Sequence, residues 1–285
     1  AMGRHHLFAI LAPIFWSVSG VGVRFMESAT AWQINFYRSS SMAVFVFLYL
    51  IIRYGSGMHR MLKESGVVGV LAGLILSGAM ICNIVALVHT TVANAVLVMA
   101  AGPVLAAVIG GIVLKEKTSP ILWVSIFLAL TGIAVMVGGN YSQDRLFGDL
   151  VALLGVVFFG FYAVAIRYGK ATDMTPAVMF GGISGAVVAA LICFATKTGF
   201  SIPAMDLYLC LLLGIFQLGI GSVLFAIAAQ SVPAVGLTLY AIGEPVLGPL
   251  WAWLGVGEAP GFLTIVGGGV LICGLLLHVF SSRTE

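Results

Sequence analysis

Two ionisable side chains stand inside long apolar stretches of this sequence, Glu244 in TLYAIGEPVLGPL and Arg38 in QINFYRSSSMAV. An ionised group held in hydrocarbon costs at least a few kcal/mol and is normally turned toward a partner or a watered interior. Glu244 can therefore serve as a carboxyl that exchanges a proton as its surroundings are wetted or closed, or as a brace for the adjacent Pro245; its type and place leave both roles open. Pro245 has no N–H to offer it, so any partner has to come from another helix. Arg38 carries a planar fork of donors that suits a carboxylate, and snorkelling outward or pairing with Glu244 are equally available to it. A second group of polar and aromatic residues accompanies these two: Trp16, Tyr37, Asn83, Tyr162, Gln217 and Tyr240. Tyr240 is four residues before Glu244 and falls on the same face of a continuous helix. Amphipathic rings can stack on an apolar or aromatic side chain while their tips hold water, although each residue alone serves helix packing equally well. His89 and Asn94 read as interfacial polar residues, and His278 as an anchor near a span end.

The elements that must position these residues are membrane spans. With 61% hydrophobic and 8% charged residues in a chain of 285, the composition is too apolar for a soluble domain. A net charge of +3 gives no basis for binding nucleic acid. The four cysteines, Cys82, Cys193, Cys210 and Cys273, have neither CxxC nor Cys/His spacing, so no metal and no cofactor is expected. Ten apolar runs occupy 7–26, 32–53, 66–87, 92–114, 120–138, 148–167, 175–196, 206–229, 233–256 and 261–280. Each is long enough to cross a hydrocarbon core of about 30 Å. Turn-forming residues separate them, among them Gly55-Ser56-Gly57, Ser119-Pro120, Gly138-Gly139-Asn140, Thr175-Pro176, Val232-Pro233 and Pro260-Gly261. The joints are too short for a nucleotide-binding or catalytic domain. Ala1-Met2-Gly3 reads as an expression scar, and the first run, with no small-residue cleavage site, is expected to be retained.

Two stretches match one another, 94–116 (NAVLVMAAGPVLAAVIGGIVLKE) and 236–258 (GLTLYAIGEPVLGPLWAWLGVGE). Pro103 falls on Pro245, Gly102 on Glu244 and Glu116 on Glu258, and Gly132 and Gly274 keep the same spacing. Phe15-Trp16 meets Phe158-Phe159 and Arg24 meets Arg167 at a spacing one residue longer. The repeat is thus 7–138 followed by 148–280, five spans each. Because five is odd, the second copy enters the membrane from the opposite face, an inverted-topology repeat. Basic residues set the orientation. With the N-terminus inside, nine of them (Arg4, Arg53, Arg60, Lys63, Lys115, Lys117, Arg167, Lys170, Arg283) are cytoplasmic against three outside (Arg24, Arg145, Lys197). Both termini are therefore expected in the cytoplasm, with the chain in an inner or plasma membrane. In a helix interior Pro103 and Pro245 would free the carbonyls of Met99 and Ala241, and irregular backbone at membrane depth persists only beside protein or a wet cavity. Helix rise puts Glu244 about 16 Å from the inner end of its run and Arg38 about 9 Å from the outer end of its own. The two could bracket an amino acid, its ammonium on Glu244 and its carboxylate on Arg38.

Ten short-looped spans in two halves, with a late helix reading Gly243-Glu244-Pro245-Val246 and ending Leu254-Gly255-Val256-Gly257-Glu258, resemble the drug/metabolite transporter superfamily in its EamA-type branch. Within that branch the chain is similar to the bacterial exporters of amino acids and related metabolites. The resemblance implies an all-α polytopic membrane protein with a central cavity, walled by the first and sixth, third and eighth, and fourth and ninth helices. It implies a secondary transporter working by alternating access, with a small-molecule substrate and the lipid bilayer as partners and coupling to protons left open, as a monomer or homodimer. Small multidrug pumps of the superfamily carry an essential acid in the first span, which this chain lacks. A membrane-embedded enzyme would need clustered Asp or His residues, and the acids within the spans reduce to Glu244. A channel would call for pore-lining rings rather than a kinked repeat. The 36 glycines suit close helix approach, and Gly132 and Gly274 are candidates for a dimer face.

Overall fold

The computed structural model describes residues 3–89, 101–137, 146–257 and 261–281, and every regular element among them is helical. Asn94, Met99, Gly138, Gly139, Asn140, Arg145, Glu258, Pro260 and Arg283 lie outside the described residues. The first apolar run is two helices, α1 (Arg4–Trp16) and α2 (Ser19–Arg24). Pro13 lies in the last turn of α1, and the Ser17 hydroxyl donates to the Ile14 carbonyl at 2.6 Å where the helix stops. α3 (Ala31–Tyr54) begins with a reciprocal cap. The Thr30 hydroxyl accepts from Gln33 N–H at 3.3 Å, and the Gln33 side-chain oxygen accepts from Thr30 N–H at 2.9 Å, so two of the orphan donors at the helix start are met. α4 (Met58–His89) is broken at Gly66, whose φ of 55° and ψ of −152° are open to glycine but strained for other residues. Residues 58–65 form a separate short helix, on which Arg60 pairs with Glu64 at 2.8 Å in the open.

The remaining helices are α5 (Gly102–Val113), α6 (Pro120–Val137), α7 (Leu146–Tyr168) and α8 (Thr175–Ala195). Then come α9 (Ala204–Leu212), a π-helical segment (Leu213–Ile220), α10 (Gly221–Ala228), α11 (Ala234–Ala241), α12 (Gly243–Val256) and α13 (Phe262–Ser281). Pro245 follows a break in the helix at Ile242, between α11 and α12, and for Pro103 the residues before Ala101 lie outside the described ones. Each proline sits in the first turn of its helix, α5 or α12, where a missing N–H costs little because that group has no acceptor within the helix.

α3 packs on α8, α4 on α7 and α8, α1 on α10, and α6 on α13. Glycine allows the tightest of these contacts. A Cβ on Gly132 of α6 would fall 2.5 Å from the carbonyl oxygen of Gly267 and 2.6 Å from the amide of Leu271, and one on Gly274 of α13 would fall 2.9 Å from the carbonyl oxygen of Ser125. These two glycines therefore face each other's helices within the chain, which corrects the expectation that they mark a dimer face. Gly182 meets the backbone of Ser39 and Ala43, and Gly73 that of Gly181.

Five helical stretches among the described residues are long and apolar enough to cross a membrane: Arg4–Arg24, Ala31–His89, Leu150–Tyr168, Thr175–Ala195 and Ala204–Ala228. The outer surface carries large apolar side chains in the open, such as Ile52, Ile112 and Phe262. So much exposed hydrocarbon suits lipid and not water. The largest buried cluster joins α1, α3, α4, α7, α8, α10 and α11.

Candidate functional site

A cavity of about 120 Å³ lies inside the bundle, room for several waters or a small organic molecule. Its walls come from Trp16 at the end of α1, Arg38 on α3, Met80 and Asn83 on α4, and Gly102 at the start of α5. Ala152, Gly155, Val156 and Phe159 on α7, Gln217 on the π segment, Ser222 on α10, Thr238 on α11 and Glu244 on α12 complete it. Helix ends contribute at three places, since α1 stops at Trp16, α5 starts at Gly102 and α12 starts one residue before Glu244. The expected walls are present, and α3 joins them.

Glu244 is half-buried on the cavity and makes no hydrogen bond or ion pair with any described residue. Arg38 is 1% exposed. Its Nη1 donates to the side-chain oxygen of Gln217 at 3.4 Å and its Nη2 to the carbonyl of Met80 at 3.2 Å, while Nε has no partner among the described residues. Both acceptors are neutral, and Glu244 lines the same cavity without an ion pair or hydrogen bond to the guanidinium. The direct Arg38–Glu244 pair, one of the arrangements the sequence left open, is not made. Gln217 donates its amide to the carbonyl of Trp16 at 3.3 Å. Trp16 packs edge-on against Phe159 with ring centres 5.7 Å apart and tilts against Phe225 at 5.0 Å. The Ser222 hydroxyl is buried without a partner among the described residues.

The fold thus brings Trp16, Arg38, Asn83, Gln217 and Glu244 to one cavity and leaves three of the expected residues elsewhere. Tyr37 donates its hydroxyl to the Phe200 carbonyl at the rim of the bundle. Tyr162 is fully buried, stacked on Phe225 with ring centres 6.1 Å apart, and its hydroxyl has no partner among the described residues. Tyr240 bonds His6 Nδ1 at 2.9 Å and lies 4.7 Å from the His278 ring. The argument that placed Tyr240 on the face of Glu244 assumed an unbroken helix, and the break at Ile242 removes it.

Several residues were not anticipated. Phe159, Ser222 and Thr238 line the cavity. Arg167 pairs with Glu116 at 2.7 Å and donates to the carbonyls of Ala229 and Gln230 at 3.0 and 2.9 Å, and the second Glu116 oxygen accepts from Ala234 N–H at 3.2 Å. One ion pair so ties the end of α7, the α5–α6 joint and the α10–α11 turn. Both residues stood out as repeat landmarks, which was the available signal. Asp206 is buried and accepts from the backbone N–H groups of Glu27, Ser28 and Ala29 at 2.8 to 3.0 Å, fixing the α2–α3 loop.

An apolar-coated helical bundle around an internal cavity that carries opposite charges is the form of a multi-pass membrane transporter. The chain belongs to the EamA-like transporter family, part of the drug/metabolite transporter superfamily, whose profile matches residues 4–138 and again 146–280. An uncharacterized transporter of Archaeoglobus fulgidus is 24% identical over 96% of this chain and 96% of its own length. The pseudopaline exporter CntI of Pseudomonas aeruginosa, in strains UCBPP-PA14 and PAO1, is 28% identical over 93% of this chain and 92% of its own. A solved crystal structure superposes with a TM-score of 0.83 over 100% of this chain and 99% of the other, at 18% identity, a likeness of fold. The family and these named relatives are transporters, which are generally not enzymes.

Proposed function

We propose that the chain is a secondary carrier that exports amino acids, aromatic or otherwise neutral, and related zwitterionic metabolites across the cytoplasmic membrane by alternating access. The observation that carries this reading is an acid and a base on one cavity, Glu244 without a hydrogen-bond partner among the described residues and Arg38 held among them by the neutral acceptors of Gln217 and Met80. A zwitterion would complete both, its ammonium on Glu244 and its carboxylate on Arg38. Trp16 and Phe159 offer apolar ring surface for its side chain. The export direction draws support from the relatives named for pseudopaline export.

Ten spans in two inverted halves are part of the proposal. Exchanging one half for the other maps each major contact onto another: α3–α8 and α6–α13 onto themselves, and α4–α7 onto α1–α10. In the same exchange α4–α8 maps onto α3 with α9 and the π segment, and α5–α7 onto α1 with α11 and α12. A two-fold relation of this kind supports alternating access around a fixed central site. The separate family match of each half points the same way. His5 bonds Ser231 at 3.1 Å, which brings the start of α1 to the end of the bundle that holds Arg167 and Glu116. That agrees with a cytoplasmic N-terminus under the positive-inside bias.

The test is flux of a panel of labelled amino acids in proteoliposomes, with and without a pH gradient. Saturable, counterflow-capable transport is expected, and Glu244→Gln and Arg38→Gln should each slow it by about tenfold or more, the worth of a hydrogen bond to a charged group. Absence of transport for the whole panel, or wild-type rates in both variants, would overturn the reading. A gradient dependence that disappears in Glu244→Gln assigns the coupling proton to that carboxyl.

A further inference from the structure

Gln217 sits behind Arg38, 4% exposed, with both ends of its amide engaged by protein. We propose that Gln217 is a positioning residue that fixes the Arg38 guanidinium for a substrate carboxylate, and so sets the carrier's preference for molecules with a free carboxylate over those in which it is blocked. This rests on the reading of Arg38 given above. The orientation of the amide follows from its partners. The Trp16 carbonyl can only accept and Arg38 can only donate, so the Gln217 nitrogen faces α1 and its oxygen faces the guanidinium. The Trp16 carbonyl is free for this because α1 stops there, and a terminal carbonyl has no intrahelical donor.

The backbone grips the same place. Gln217 lies within the π segment Leu213–Ile220, a wide-turn insertion of the sort that gathers at functional sites. At the crossing with α3, Gly214 has no side chain, and a Cβ there would run into the Arg38 carbonyl oxygen and the Ser41 hydroxyl. Ser41 donates to the Leu211 carbonyl at 3.1 Å just ahead of that segment. Side chain and backbone of Arg38 are therefore both set by one element. The amide also has the right chemistry. A glutamate at 217 would reach the same guanidinium and neutralise it within the protein, whereas glutamine holds it and leaves its charge for a ligand.

Gln217→Glu, Gln217→Leu and Arg38→Gln in proteoliposomes form the test, with labelled L-leucine and L-phenylalanine as substrates and L-leucinamide and L-phenylalaninamide as competitors. In the wild type the amides should compete at least about tenfold more weakly than the acids, and Arg38→Gln should erase that ratio. Gln217→Glu should raise KM about tenfold or more, leave Vmax within about twofold, and bring the amides level with the acids. Gln217→Leu, which keeps the volume, should move KM and the ratio the same way by a smaller factor, and carries the test if the Glu variant does not insert. A merely structural role would lower Vmax or thermal stability and leave the ratio alone. If Arg38→Gln erases the ratio while both Gln217 variants keep it, the assignment of Gln217 is overturned and the reading of Arg38 stands. If the wild type shows no preference for the acids, the reading of Arg38 falls and this assignment with it.

Discussion

Arg38 shows why the residue type matters as well as the charge. Two of its five N–H donors reach Gln217 and Met80 from opposite parts of a rigid fork. A lysine ammonium is a compact, strongly hydrated point charge and lacks the planar fork that spans two acceptors while still offering a carboxylate a pair of parallel donors. Arg38→Lys should therefore behave like a loss of recognition, with KM for a carboxylate substrate raised about tenfold or more, read from concentration-dependent uptake in proteoliposomes. Wild-type KM in that variant would mean that charge alone is sufficient. Arg38 and Glu244 were legible in the sequence because an ionisable group in an apolar run has few places to go. The role of Gln217 was not, because it depends on the stop of α1 and on a π turn, neither of which has a sequence signature. Tyr240 misled for the converse reason: helical spacing predicts a shared face only where the helix continues.

Breaks and close contacts at the level of helices follow from proline and glycine. Pro103 and Pro245 lie in the first turns of α5 and α12, and Gly102 and Glu244 beside them reach the cavity at helix ends. Gly66 also marks a real break, one that the apolar run starting at that residue had suggested. The glycines were visible as a class while their partners were not, since which backbone a glycine meets is a property of the packed bundle. Gly132→Ala is the direct probe of the α6–α13 contact. Its Cβ would press on the backbone at Gly267 and Leu271, atoms that cannot rotate away. A loss of about 1–3 kcal/mol is expected from such overpacking, read as a lowered melting temperature of the detergent-solubilised protein. An unchanged melting temperature would show that α6 can shift freely.

Across the whole molecule, the Arg167–Glu116 pair fastens the α5–α6 joint, α7 and the α10–α11 turn at one end. If the halves rock about the central cavity, that fastening opens once in each cycle. After replacement of Cys82, Cys193, Cys210 and Cys273, all of them free thiols, Glu116→Cys and Arg167→Cys can be bridged by a short bis-methanethiosulfonate reagent, which forms a disulfide with each thiol as methanesulfinate leaves and is cleaved by a reductant. Bridging should stop transport and cleavage should restore it; continued transport through the bridged protein would place the moving parts elsewhere. The contact of α6 with α13 has a different consequence, one for biogenesis. The two helices are separated by more than a hundred residues of chain, so at about 5–20 residues per second α6 is made several seconds before the partner that covers Gly132. Its own backbone hydrogen bonds let it wait in lipid. The late arrival of α13 then closes that flank, and a nascent chain halted before residue 262 would leave the Gly132 groove open to quality-control proteases.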